Sequence, residues 1–317
     1  MTRWLLFAVA FGWGTSAAEP SFGDRDLQGA SIESGFWFKW LASKGKRFAA
    51  ARDYQKRTAA TAQMGALLCD MSRQRSPSFA RSKETGMMIH SLAGATAGEE
   101  VHQDGAAPDR NESSRPVRVV LDVGAGPLSN LGNRCGSEPV DLLATDALAP
   151  EYDHLLALVG LTPRVRTRYC PMEATSKCFA RNFFDLVHSA NALDHAQDPM
   201  AAVRAMVDVA KPGGYVVIIC HVRERERQKA SGMHQWNLYP LPDGSSWVVE
   251  GGNGSAPVNV AQALSGLIDE VHVSATAGVE RSNGSAMGLL PKTWEIRARS
   301  FQAIMRKMPA AETREMT

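Results

Sequence analysis

The chain has 317 residues, 44% of them apolar and 21% charged, with a formal net charge of +2. That composition is ordinary for a globular protein and leaves room for one large α/β domain plus an appendage. A balance so near zero gives no electrostatic footprint for nucleic acid, so none is expected as a partner, and the alternating Arg and Glu of residues 223–229 read as a solvated face.

Residues 1–18 read as a secretory signal. Arg3 gives a positive start, residues 4–13 form a short apolar run, and Thr15-Ser16-Ala17-Ala18 offers small residues for cleavage. The alternatives are a signal anchor and a first helix of the fold. The expected location is the secretory pathway, lumenal or secreted, or a plastid reached through such a leader. N-x-S sequons at Asn111, Asn253 and Asn283 fit that route. No other apolar run is long enough to cross a bilayer, so no integral span is expected once the leader is removed.

Residues 19–72 read as an N-terminal helical cap. Phe36 with Trp40, and Trp37 with Leu41, are i,i+4 pairs, and Gly45 is a plausible helix stop. Further helices are expected over residues 48–58 and 64–71. So much aromatic surface must be covered, by docking onto the main domain or by closing over a ligand as a lid. Residues 73–115 read as a linker with a short helix near residues 87–92, and Pro116 opens an ordered domain that runs to residue 300, with residues 301–317 as a tail. Cys69, Cys135, Cys170, Cys178 and Cys220 contain no C-x-x-C pair and resemble neither a disulfide framework nor a zinc site; Cys170 and Cys178 can be bridged only if the chain between them folds back. No metal-ligand set is read from the sequence.

From Pro116 the chain alternates. Strands are expected at residues 118–123, 140–145, 165–169, 184–189 and 215–220, with helices at 152–159, closed by Gly160, and at 199–210. Lys211-Pro212-Gly213-Gly214 is a tight turn. A helix at 258–267, a strand at 270–274 and a last strand at 293–299 complete the pattern, which argues a parallel, doubly wound α/β sheet.

The first of these strands organises the rest. Its β-branched run ends in Asp122 and the turn Gly124-Ala125-Gly126, where glycine allows positive φ and close approach to the backbone. A helix starting near Ser129 is expected to point its N-terminus at that turn. The third glycine of the dinucleotide fingerprint is missing, with Ser129 in its place. Asp122 suits a cationic ligand, or else it only hydrogen-bonds the turn.

D-x-G-x-G at residues 122–126 resembles the first motif of class I S-adenosylmethionine (SAM) methyltransferases. Asp146, 24 residues further on, matches that family's acid at the end of strand two, placed for the ribose hydroxyls or for a helix N-cap. Phe184-Asp185-Leu186-Val187-His188-Ser189 resembles its strand four, and the residue 211–214 turn matches the entry to strand five. F-W-x-x-W at residue 36, N-A-L-D-H-x-x-D-P at residue 191 and H-Q-W-N at residue 234 resemble a poorly characterised, mostly bacterial group within it. The resemblance implies a Rossmann-like seven-stranded sheet, mostly parallel with an antiparallel last strand, and SAM as cofactor. The cofactor residues it implies are Asp122, Gly124, Ala125, Gly126, Asp146 and Asn191, with Met172 on the adenine face and Glu173 at its edge, where the usual acid is displaced. His195, Asn191 and His234 are the catalytic candidates, because an imidazole titrates near neutrality and these follow strand ends. Asp194 could orient His195, although adjacent residues on a helix point apart. His188 reads as a core histidine, and Asp185 as structural. The acceptor is expected to be a small molecule or a glycan; the absence of an N/D-P-P-Y/F motif argues against amino-methylation of bases. Two other readings are a SAM-binding or regulatory protein without turnover and an NAD(P)-dependent oxidoreductase.

Overall fold

The computed structural model describes residues 24–45, 79–81, 88–90, 118–131, 134–135, 138–251, 256–281 and 294–309. The leader, the three sequons and the helices expected at 48–58 and 64–71 lie outside the described residues. Besides short strands at Phe79–Arg81, Met88–His90 and Arg134–Cys135, the strands among them are β1 (Arg118–Val123), β2 (Glu138–Asp146), β3 (Thr167–Tyr169), β4 (Phe184–Ala190), β5 (Ala210–His221), β6 (Trp236–Pro240), β7 (Trp247–Gly251), β8 (Val258–Asn259), β9 (Ile268–Arg281) and β10 (Trp294–Lys307). The helices are α1 (Asp24–Trp40), α2 (Ala149–Val159), α3 (Thr175–Cys178), α4 (Pro199–Val209), α5 (Glu224–Arg227) and α6 (Val260–Ala263).

The main sheet runs β3-β2-β1-β4-β5-β10-β9. Strands β1 to β5 pair in parallel, and β10 is antiparallel to both its neighbours. This is the mostly parallel, Rossmann-like seven-stranded sheet with an antiparallel last strand. The chain passes from β1 outward to β3, then returns to β4 on the other side of β1, so the topological switch lies between β1 and β4. The central strands are apolar almost throughout because both faces are covered. Leu121, Val123, Phe184, Val187, Val216 and Ile218 are fully buried with Val203 and Met206 of α4. Asp198 caps α4, accepting from the N–H groups of Met200 and Ala201, and Pro199 follows at the first helical position. Gly160 closes α2 in the left-handed region (φ 65°), as its place in the sequence suggested.

Several expectations are corrected. No helix starts at Ser129: residues 124–131 form turns and bends, and Arg134–Cys135 already pairs with the start of β2. The reason is local. Ser129 Oγ donates to Asp122 Oδ2 (2.5 Å) and accepts from the N–H of Leu131, which ties the segment down as a turn. Leu128 packs instead against Leu41 and Leu156, so the N-terminal segment covers this side. Helix α1 passes into a π-helical turn at Leu41–Gly45. Met88–His90 is a strand paired with Phe79–Arg81, not a helix. The expected helix at 258–267 shrinks to α6, and β6, β7 and β8 form an unanticipated antiparallel sheet inserted after β5. Strand β10 continues to Lys307, burying Phe301, Ala303 and Met305 on one face, so residues 301–307 belong to the sheet and not to a tail. Cys170 and Cys178 are bridged, with Cα atoms 6.4 Å apart, because a 3-10 turn at Met172–Ala174 and α3 fold the chain back.

Candidate functional site

The glycine turn at the C-terminal end of β1 is held from three directions. Gly124 and Gly126 both adopt positive φ (68° and 65°). The N–H of Ala125 donates to the carbonyl of Thr145, that of Gly126 donates to Asp146 Oδ2 (3.0 Å), and Thr167 Oγ1 donates to the carbonyl of Gly126 (2.7 Å). A Cβ on Gly124 would lie 2.4 Å from Ala192 Cβ and 3.2 Å from Met172 Cε. On Gly126 it would lie 2.9 Å from the Trp37 ring. The turn is therefore sandwiched between the end of β4, the Met172 turn and α1.

Asp122 lies beneath this turn. It is 3% exposed, its Oδ2 takes the Ser129 hydroxyl, and its Oδ1 is 2.7 Å from His188 Nδ1. The carboxylate thus serves the turn and the core histidine and is closed off from solvent. Asp146 is different. It ends β2, accepts from the N–H of Gly126 and of Leu148, and is only partly buried, leaving a lone pair on each oxygen. Burial pushes its carboxyl up to about 6, with Glu33 adding to the rise and the backbone donors and His195 opposing it. A carboxylate so raised is short of donors for its charge, which suits paired ligand hydroxyls.

Met172 stands against Gly124, where a flat ligand ring could rest on it. Glu173, next to it, is anchored from the other side. Its Oε1 accepts from the N–H groups of Gln197 and Asp198, which ties it to the start of α4. Asn191 takes a left-handed backbone (φ 51°) at the end of β4, a conformation Asn tolerates, and its N–H donates to the carbonyl of Ile219.

Beyond Asn191 and Ala192, a 3-10 turn at Leu193–His195 presents Asp194 and His195. His234, from the segment before β6, lies between them. Its Nδ1 is 2.6 Å from Asp194 Oδ2 and 3.1 Å from His195 Nε2. The helix-face objection to an Asp194–His195 partnership fails because a third residue bridges the two. Two hydrogen-bond clamps fix the arrangement: the backbone N–H of Gln235 donates to the carbonyl of Asp194, and the indole Nε1 of Trp236 donates to that of Ala196 (2.8 Å). Burial alone would raise Asp194, but the His234 hydrogen bond and both imidazoles outweigh it and hold the carboxyl below its ordinary value. Burial likewise opposes protonation of His234, and the Asp194 partnership overrides it, raising that imidazole.

Helix α1 bridges the two halves. Trp37 covers Gly126, while a Cβ on Gly29 would meet Met233 Cγ at 2.8 Å, next to His234. Glu33, which accepts from Trp37 Nε1, acts electrostatically on both Asp146 and His234. Sequence reasoning missed Thr167, Ser129 and Glu33, whose roles depend on contacts across the fold.

Residues 121–218 match the model of a methyltransferase domain. The chain is 32% identical over 103 residues to a demethylmenaquinone methyltransferase of Renibacterium salmoninarum, covering 32% of this chain and 41% of that protein. It is 28% identical over 115 residues to the chloroplastic tocopherol O-methyltransferase of Arabidopsis thaliana, covering 35% and 32%. The chain thus spans well under half the length of the curated relatives it matches. A SAM-dependent methyltransferase of Archaeoglobus fulgidus superposes with a TM-score of 0.39 at 13% identity, over 60% of this chain and 86% of that one.

Proposed function

We propose, from the premise that residues 121–218 are a class I SAM-dependent methyltransferase domain, that this chain methylates a small molecule carrying an ionisable hydroxyl. Bound at the glycine turn, SAM supplies a methyl carbon that an acceptor's lone pair displaces from sulfur, the S–C electron pair staying on the neutral thioether. The cradle fits that ligand: Asp146 offers unspent lone pairs for two ribose hydroxyls, Met172 offers an apolar wall, and Glu33 adds negative potential for a cationic group.

One observation carries the reading. Ala192 lies against Gly124 and is followed at once by the turn holding Asp194 and His195, so the glycine turn and a proton-handling trio share one sheet edge. Fixing the acceptor on the S–CH3 axis can supply about 7–11 kcal/mol. Removing its proton at Asp194, His195 and His234 adds about 10²–10⁴ in rate. The curated relatives are named for small molecules, demethylmenaquinone and tocopherol, which favours a small acceptor over a glycan. The bridge between Cys170 and Cys178, with the leader and the sequons, supports an oxidising, secretory-route compartment.

The test is methyl transfer from isotope-labelled SAM by the purified chain to a panel of phenols, quinols and oligosaccharides. Label is expected in a hydroxylated small molecule and lost in His195→Ala. Label confined to oligosaccharides would refute the acceptor class, and SAM binding without transfer to any of them would favour the regulatory alternative.

A further inference from the structure

Asp194 Oδ2, His195 Nε2 and His234 Nδ1 lie within 4.8 Å of one another, the only such group of three potential metal ligands among the described residues. Hydrogen bonding alone serves this trio badly. The three separations are 2.6, 3.1 and 3.6 Å. Seen from His234 Nδ1, the directions to the other two atoms diverge by roughly 80°, so a single N–H there can reach both Asp194 and His195 only as a bent, shared bond. If His195 Nε2 is the donor instead, the lone pair of His234 Nδ1 faces a carboxylate oxygen at 2.6 Å. With both nitrogens protonated, both N–H groups turn on the one carboxylate oxygen, and the one from His195 is left 3.6 Å away. No tautomer makes two straight hydrogen bonds among the three atoms.

A cation relieves all three contacts. For a triangle of those sides, a point about 2.1 Å from every corner exists, roughly 1 Å out of the plane, and the angles between ligands there average roughly 95°. Two imidazoles and one carboxylate on one triangular face form a ligand set for first-row transition ions, and three protein ligands leave positions open. The clamps from Gln235 and Trp236 hold His234 in place before any ion arrives. The side chains of His195 and His234 are 16% and 27% exposed, giving an entry path, while Asp194 is nearly closed off at 7%.

We propose that Asp194, His195 and His234 bind one divalent first-row transition ion, and that its open position holds an oxygen of the methyl acceptor. The second half rests on the methyltransferase reading; the first does not. The trio's part in losing the acceptor proton is then to hold the ion. An oxygen bound to it releases its proton to solvent more readily and keeps the lone pair that forms the new O–C bond.

The test uses the full chain, stripped with a chelator and titrated with Co2+, whose visible absorption reports nitrogen and oxygen ligands. One equivalent is expected to saturate the band. His195→Ala and His234→Gln are expected to weaken binding by about a hundredfold or more, and His154→Ala, on the exposed side of α2, to leave it unchanged. Melting by circular dichroism checks that each variant is folded. Should His234→Gln fail to fold, His195→Ala alone decides. No saturable band, or equal affinity in a folded trio variant, overturns the site. A parallel titration with S-adenosylhomocysteine separates the two readings: cobalt binding without nucleoside binding supports the ion site and sinks the methyltransferase role, and the reverse does the opposite.

Discussion

Replacing Gly124 by alanine tests whether the glycine turn is built as described. The residue sits at φ 68°, where an L side chain costs about 1–2 kcal/mol. The new Cβ would also lie 2.4 Å from Ala192 Cβ and 3.2 Å from Met172 Cε. The first neighbour is a methyl fixed to buried backbone and cannot swing aside, so overpacking adds about 1–3 kcal/mol. The total loss is about 2–5 kcal/mol. Gly160→Ala is the matched control, with nearly the same φ (65°) and nothing within 4 Å, and it should lose only the backbone part, about 1–2 kcal/mol. Urea unfolding of both variants isolates the packing part as their difference. Because relieving the clash displaces a turn that Asp146 holds through the Gly126 N–H, S-adenosylhomocysteine should bind Gly124→Ala at least about tenfold more weakly, a shift of about 1.4 kcal/mol, while Gly160→Ala binds normally. Equal stability losses with unchanged affinity in both would refute the packing of this turn.

Three further outcomes are expected. Asp146, raised to about 6 in the folded chain from an ordinary 3.8, keeps its proton to higher pH than in the unfolded chain. Its stabilising contribution is therefore present below pH 4 and is lost between about pH 4 and 6, at most about 3 kcal/mol. Nucleoside hydroxyls favour the ionised form, so S-adenosylhomocysteine should bind about tenfold more weakly at pH 5 than at pH 7, and calorimetry on Asp146→Asn should find that dependence flattened. Asp185 accepts from the N–H of Val119 and from Lys211 Nζ (2.8 Å), clasping β1, β4 and β5, so Asp185→Ala should cost about 2 kcal/mol in urea unfolding without altering nucleoside affinity. Closing the short loop from Cys170 to Cys178 should contribute about 2.5 kcal/mol, read as the drop in unfolding midpoint of the double serine variant against wild type.

Much of this fold was readable wherever a local signal matched the global one. The β-branched run of β1, the capping Asp198 ahead of α4 and the left-handed Gly160 each specify an element from a few neighbouring residues. The segment after the glycine turn was not readable, because a hydroxyl at Ser129 reaching back to Asp122 decides between turn and helix. The far end of β10 was obscured by the approach of the C-terminal residues, although Phe301, Ala303 and Met305 keep the period of a strand. His195 and His234 were visible as residue types, but their meeting with Asp194 was not. It joins positions 40 residues apart through an insertion whose own sheet carries no strong local pattern. Glu33 shows the same limit, since nothing in its neighbourhood on α1 reveals that Asp146 and His234 lie within its field.

The most direct measurement is a crystal structure of the chain with S-adenosylhomocysteine. The ribose hydroxyls should lie within hydrogen-bond distance of Asp146, the adenine against Met172, and the sulfur on the side of Ala192 that leads to His195. A nucleoside at another edge of the sheet, or one whose sulfur faces away from Asp194, His195 and His234, would contradict the assignment.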